Sequence, residues 1–163
     1  VFIMQGKDDR MAEQGRYKKI IVPLDGSGWS QRAIPHAVDI AQNNGSELIL
    51  LHVFVPPATQ YVGEIALAGQ DEQLMALRDE MKQKLTSVRN EIRNEKVNVR
   101  VQFIEGVGVA EIICDYINEE NADLVVMSSH GRTGLNRWLF GSVAHKVMQE
   151  VHVPVMIIRP DKD

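Results

Sequence analysis

Short runs rich in apolar residues alternate along this chain with longer stretches in which apolar residues return every three or four positions. The runs are YKKIIVPL at 17–24, LILLHVFV at 48–55, VNVRVQFI at 97–104, LVVM at 124–127 and VMII at 155–158. Turn formers or small polar residues close them, and the unbroken ones, LILLHVFV and LVVM, have the pattern of strands buried on both faces. Between them, Ala33, Ile34, Ala37, Val38 and Ala41 fall on one helical stripe, and Leu74, Leu77, Met81, Leu85, Val88 and Ile92 on a second. Val109, Ile112, Ile113, Tyr116 and Ile117 form a third, and Leu139, Phe140, Val143, Ala144, Val147 and Met148 a fourth. The first helix should close at Asn43-Asn44-Gly45, and Pro35 in its first turns should bend it locally at most. The second should end near Lys96, and ATQYVGEIALAG at 58–69, ahead of it, has no clear period.

Strands alternating with helices predict an α/β chain with a doubly wound, open parallel sheet of five strands and helices on both faces, a Rossmann-like architecture. Ligands of such folds bind beyond the carboxyl ends of the strands, where strand order reverses. The stretch after the fourth run suits an anion. Gly131 and Gly134 lie in the loop, and Gly141, Ser142 and Val143 are expected in the first turns of the fourth helix. There, backbone N–H groups lack partners and the helix dipole favours negative charge.

The 163 residues, 44% hydrophobic and 25% charged, suit a single domain at 17–160. Residues 1–16 then read as an N-terminal extension, or an expression remnant ahead of a natural start at Met11, and 161–163 as a C-terminal tail. A net charge of −4 without a dense run of Lys and Arg argues against a nucleic-acid surface. No apolar segment approaches the roughly 20 residues of a membrane span. One cysteine, Cys114, rules out an internal disulfide and fits a reducing, cytoplasmic setting.

Little points to catalysis. The phosphate-loop pattern Gly-x4-Gly-Lys-Ser/Thr is absent, and Gly26-Ser-Gly28-Trp-Ser-Gln31 lacks the third glycine of a dinucleotide fingerprint. His36, His52, His130, His145 and His152 show no metal-binding pair with a carboxylate partner. Cys114, inside the third helix, reads as a small buried hydrophobe. Glu105 and Asp123 flank strands without forming an acid–base pair, and His130 stands in the glycine loop without a partner.

Ser128-x2-Gly131-x9-Gly141-Ser142-Val143 resembles the nucleotide loop of the universal stress protein family, whose ATP-binding members carry Gly-x2-Gly-x9-Gly-Ser/Thr after the fourth strand. Ser128 stands where that pattern has its first glycine. YKKIIVPLDGS, LLHV and PVMIIRP extend the resemblance over 17–160. It implies a strand order of 3-2-1-4-5, which brings Pro23-Leu24-Asp25 opposite Ser128 and Gly131. It also implies a site for ATP or a related adenine nucleotide, with Mg²⁺ or Mn²⁺. Pro23 and Asp25 would border the adenosine, Val53 would offer backbone groups to the adenine edge, and Met127 apolar contact. Gly131, Gly141, Ser142 and Val143 would hold phosphates. Arg132 and Arg137 are left out as solvated loop residues.

The function expected is that of a stress-response binding or signalling module rather than an enzyme. The alternatives are a nucleotide-free dimer acting through protein contacts and an ATP-hydrolysing or adenylyl-transferring enzyme. Tyr61, Ile65 and Leu67 are expected to form a lid over the base or, alternatively, a surface cluster or partner contact. In the implied order the fifth strand is an apolar edge, so Val153, Val155, Met156, Ile157 and Ile158 predict a homodimer. The alternative is that residues 1–16, or the terminal segment, cover that edge within one chain.

Overall fold

The computed structural model describes residues 2–3, 17–56, 67–93, 96–129 and 140–159. In chain order these form β1 (Phe2–Ile3), β2 (Lys19–Pro23), α1 (Gly28–Gln31), α2 (Ala33–Asn44), β3 (Glu47–Phe54) and α3 (Leu67–Arg93). Then come β4 (Asn98–Glu105), α4 (Val109–Glu119), β5 (Leu124–Ser128), α5 (Ser142–Glu150) and β6 (Val155–Ile158). The sheet order is β1-β6-β5-β2-β3-β4. Its five parallel strands, β4-β3-β2-β5-β6, are the expected 3-2-1-4-5.

Alternation along the strands divides the core into two layers. Ile21, Ile49, Leu51, Val53, Val125 and Met127 face α4 and α5, while Ile20, Val22, Leu48, Leu50, Leu124 and Val126 face α2 and α3. α2 runs through Pro35, its third residue, where a missing N–H forfeits no intrahelical bond. It stops at Gly45, whose φ of 68° is the left-handed cap that lets its N–H bond Ala41 O.

Three expectations are corrected. α3 begins at Leu67, ahead of its apolar stripe and inside the stretch that showed no period. α5 begins at Ser142, because Gly141 has a ψ of 155° and is the cap rather than part of a turn. Phe140 therefore precedes the helix, packing half-buried against the core, and Leu139 lies outside the described residues. Finally, the start of β6 is not an open edge. Phe2 and Ile3 pair antiparallel with Met156 and Val155, so part of the 1–16 stretch belongs to the sheet.

At the amino ends of the strands a charged cluster closes the fold. Arg100 donates to both oxygens of Glu120, at 3.2 and 2.9 Å, and Lys19 Nζ adds a bond of 2.8 Å. Arg100 also reaches Tyr116 Oη and Glu47. Donation from Arg100, then Lys19, lowers the Glu120 carboxyl from 4.5 to about 2. A depressed carboxyl contributes stability that is complete above its unfolded value and is lost as pH falls through the folded one. Glu120→Gln should therefore remove about 1 kcal/mol near neutral pH, the upper end for a partly exposed network. Urea midpoints of the two chains should converge between pH 4.5 and 2, and a constant gap across that window would show that the cluster stabilises by packing.

Candidate functional site

β2 and β5 are neighbours at the reversal of strand order, yet their register holds only Ile20↔Leu124 and Ile21↔Val125. Beyond that the pairing between them stops, and the turn after β2 and the end of β5 line a cleft. The cavity there has a volume of about 590 Å³, within the roughly 300–1,000 Å³ usual for small-molecule sites. Pro23, Asp25, Val53, Met127, Ser128, Gly141, Ser142 and Val143 all line it. Gly131, Gly134, Arg132, Arg137, His130, Tyr61 and Ile65 lie outside the described residues, as does the Leu67 side chain. Sequence reasoning missed the other wall: Leu77 and Met81 of α3, and Val109 and Ile113 of α4, also face the cavity. Their helical stripes were legible, but nothing in periodicity tells a core contact from a pocket wall.

The turn after β2 is built from short polar side chains. Gly26 takes a φ of 83°, a conformation open to glycine without strain. This lets Asp25 Oδ1 accept from the Ser27 N–H at 2.9 Å and the Ser27 hydroxyl at 2.6 Å. Ser27 in turn caps α1 through Ser30 N–H, and the Ser30 hydroxyl returns a bond to Ser27 O. The short helix α1, which no apolar period announced, thus anchors the Asp25 carboxylate at the cavity wall.

Across the cleft, Ser128 ends β5 in register with Ile158 and is buried. Among described residues other than glycine, only Lys96 and Asn121 have positive φ, so serine carries no left-handed strain at this position. Ser129 N–H bonds Ile158 O at 2.9 Å, and Gly141 N–H bonds Ser129 O at 2.8 Å. Ser129 and Gly141, on either side of the glycine loop, are therefore held together. α5 starts there with no side-chain cap, and its His145 N–H bonds back to Gly141 O. The N–H groups of Ser142, Val143 and Ala144 precede that first intrahelical bond and sit at the positive end of the dipole, and all three residues line the cavity.

The chain matches the model of the universal stress protein family over residues 16–159. It belongs to that family. Universal stress protein MJ0531 of Methanocaldococcus jannaschii is 34% identical over 146 residues, which cover 90% of this chain and 84% of the relative. Among solved structures, UspA from Lactobacillus plantarum superposes with a TM-score of 0.76 at 25% identity, covering 88% of this chain and 99% of that one. MJ0577, solved in a structure-based assignment of biochemical function, gives 0.74 at 27% identity, covering 90% and 99%. This universal stress protein thus shares with them the sheet and its reversal point.

Other candidate chemistry stays structural. Cys114 is buried, which pushes its thiol up to about 11 and keeps it protonated. Asp123 Oδ2 accepts the Lys18 and Lys19 N–H groups at 2.8 Å each, clipping the start of β2 beside β5. Among the described residues, no cluster of His, Cys, Asp or Glu is placed to hold a metal ion, and no helix is long and apolar enough to cross a membrane.

Proposed function

We propose that this universal stress protein binds ATP or a related adenine nucleotide in the cleft between β2 and β5 and acts as a binding and signalling module. The observation that carries the reading is the convergence of the Pro23–Asp25 turn, the end of β5 and the uncapped start of α5 on one cavity. An apolar inner wall suits a base, and the α5 terminus suits phosphates. Pro23 and Asp25 would border the adenosine, Val53 and Met127 the adenine, and Gly131, Gly141, Ser142 and Val143 the phosphates. Asp25 is the carboxylate of the described lining. Mg²⁺ or Mn²⁺ would therefore be held chiefly by phosphate oxygens and water, with Asp25 beside them.

Nucleotide released by heat from the purified protein and identified by mass tests this reading, and protein that is empty and gains no heat signal with ATP ends it. Ser128→Gly bears on the one departure in the loop. Because serine is unstrained there, glycine offers no relief and loses a hydroxyl at the cavity. ATP affinity should fall about threefold, the scale of a weak net hydrogen bond. Tighter binding would mean that the serine side chain obstructs phosphate.

A hydrolytic or adenylyl-transferring enzyme would need a group free to position water. Asp25 and His52, titratable side chains of the described lining, are both engaged in the turn after β2. Turnover of labelled ATP tests that alternative.

A further inference from the structure

His52 is 2% exposed, yet it lines the cavity and its ring contacts Phe103 with centroids 5.6 Å apart. Its Nδ1 lies 2.7 Å from Leu24 O. A carbonyl can only accept, so the proton is on Nδ1 and the side chain is the donor. The partner matters because of where the β2–β3 ladder stops.

In a parallel ladder, alternate residues of a strand turn both backbone groups toward the same neighbour. Glu47 N–H bonds Lys18 O and Leu51 O accepts from Leu24 N–H, so odd-numbered residues of β3 face β2. Phe54 O accepts from Gly106 N–H, so even-numbered ones face β4. Val53 therefore turns its N–H and C=O toward the β2 side. The next rung would run from Val53 N–H to Leu24 O. Among the described residues the register ends at Pro23↔Leu51, and Leu24 O is held by the His52 ring instead.

We propose that His52 is a positioning residue that ends the ladder one rung early, leaving the Val53 N–H and C=O as a donor–acceptor pair facing the cleft. An adenine edge, with a ring nitrogen that accepts beside an amino group that donates, is complementary to that pair. A hypoxanthine edge presents the reverse order. This rests on the nucleotide reading for its ligand, but the early end of the ladder stands apart from it.

His52→Leu removes the donor at similar bulk, and His52→Asn restores an N–H near the position of Nδ1. In His52→Leu, Leu24 O should recapture the Val53 N–H. Hydrogen exchange at the Val53 amide should then slow although the protein as a whole is no more stable, while His52→Asn exchanges like the parent. Exchange at Val53 unchanged or faster in His52→Leu overturns the inference, whatever the protein binds. With ligand, the preference for ATP over inosine triphosphate should fall about tenfold in His52→Leu and stay within about threefold in His52→Asn. A merely structural role weakens both nucleotides alike, and that result also overturns it. Parent protein that binds neither nucleotide, with the Val53 exchange shift present, defeats the ATP reading and leaves the role of His52 standing.

Discussion

Gly141→Val is expected to weaken ATP binding by about a hundredfold or more while leaving the domain folded. Gly141 has a φ of −59° and a ψ of 155°, an extended conformation that any residue adopts, so valine introduces no backbone strain. Its effect comes from space. Gly141 caps α5 at the cavity wall, next to the N–H groups of Ser142, Val143 and Ala144. A branched side chain at the cap would stand where phosphate oxygens must approach those groups. Losing charge-assisted hydrogen bonds there accounts for about 3 kcal/mol, which corresponds to the expected factor. Calorimetric titration gives the affinity and the thermal midpoint reports the fold. Unchanged affinity in a folded variant would remove phosphate from the α5 terminus, whereas a collapse in stability would show that Gly141 is needed for packing.

What could be read from the chain follows from which interactions have a period. The five parallel strands and four longer helices are legible because burial on both faces leaves unbroken runs such as LILLHVFV, the half-buried β4 leaves the alternation of VNVRVQFI, and burial on one face of a helix leaves stripes such as that of α4. Strand order has no period, and it came from the resemblance. α1 was invisible because four residues cannot display a stripe, so its cap, Ser27 to Ser30, is seen only in the structure. The apolar stripe predicts too early a start for α5 because Phe140 matches it in composition, whereas the backbone angles of Gly141 set the boundary. At the site, the lining residues on the turn after β2 and at the end of β5 are accessible through the family resemblance. His52 is not, because its role depends on a contact with Leu24 O between residues far apart in sequence. Weighed only as a metal ligand, it showed no partner.

Removing residues 1–16 is expected to strengthen self-association at least tenfold, about 1.4 kcal/mol. The homodimer expected from the sequence needs backbone groups on the outer side of β6. Val125 N–H bonds Pro154 O and Ser129 N–H bonds Ile158 O, so even-numbered residues of β6 turn their backbone groups to β5, and Val155 and Ile157 turn theirs to the outer side. Ile3 pairs with Val155 and Phe2 with Met156, which occupies the start of the strip that a second copy would use. Two paired residues make a weak strap, and a second copy that displaces it must first break those contacts. Without the strap that cost is absent, and the two β6 strands can pair antiparallel about a two-fold axis. Lysine at Val155 or Ile157 is a poor probe, since both side chains are buried in the core layer against α4 and α5 and a charge there would unfold the chain. Sedimentation of the intact and shortened chains over a range of concentrations separates the outcomes. Equal dissociation constants would mean that the strap does not compete with a second copy. A shortened chain that stays monomeric would mean that the β6 edge does not carry the dimer at all.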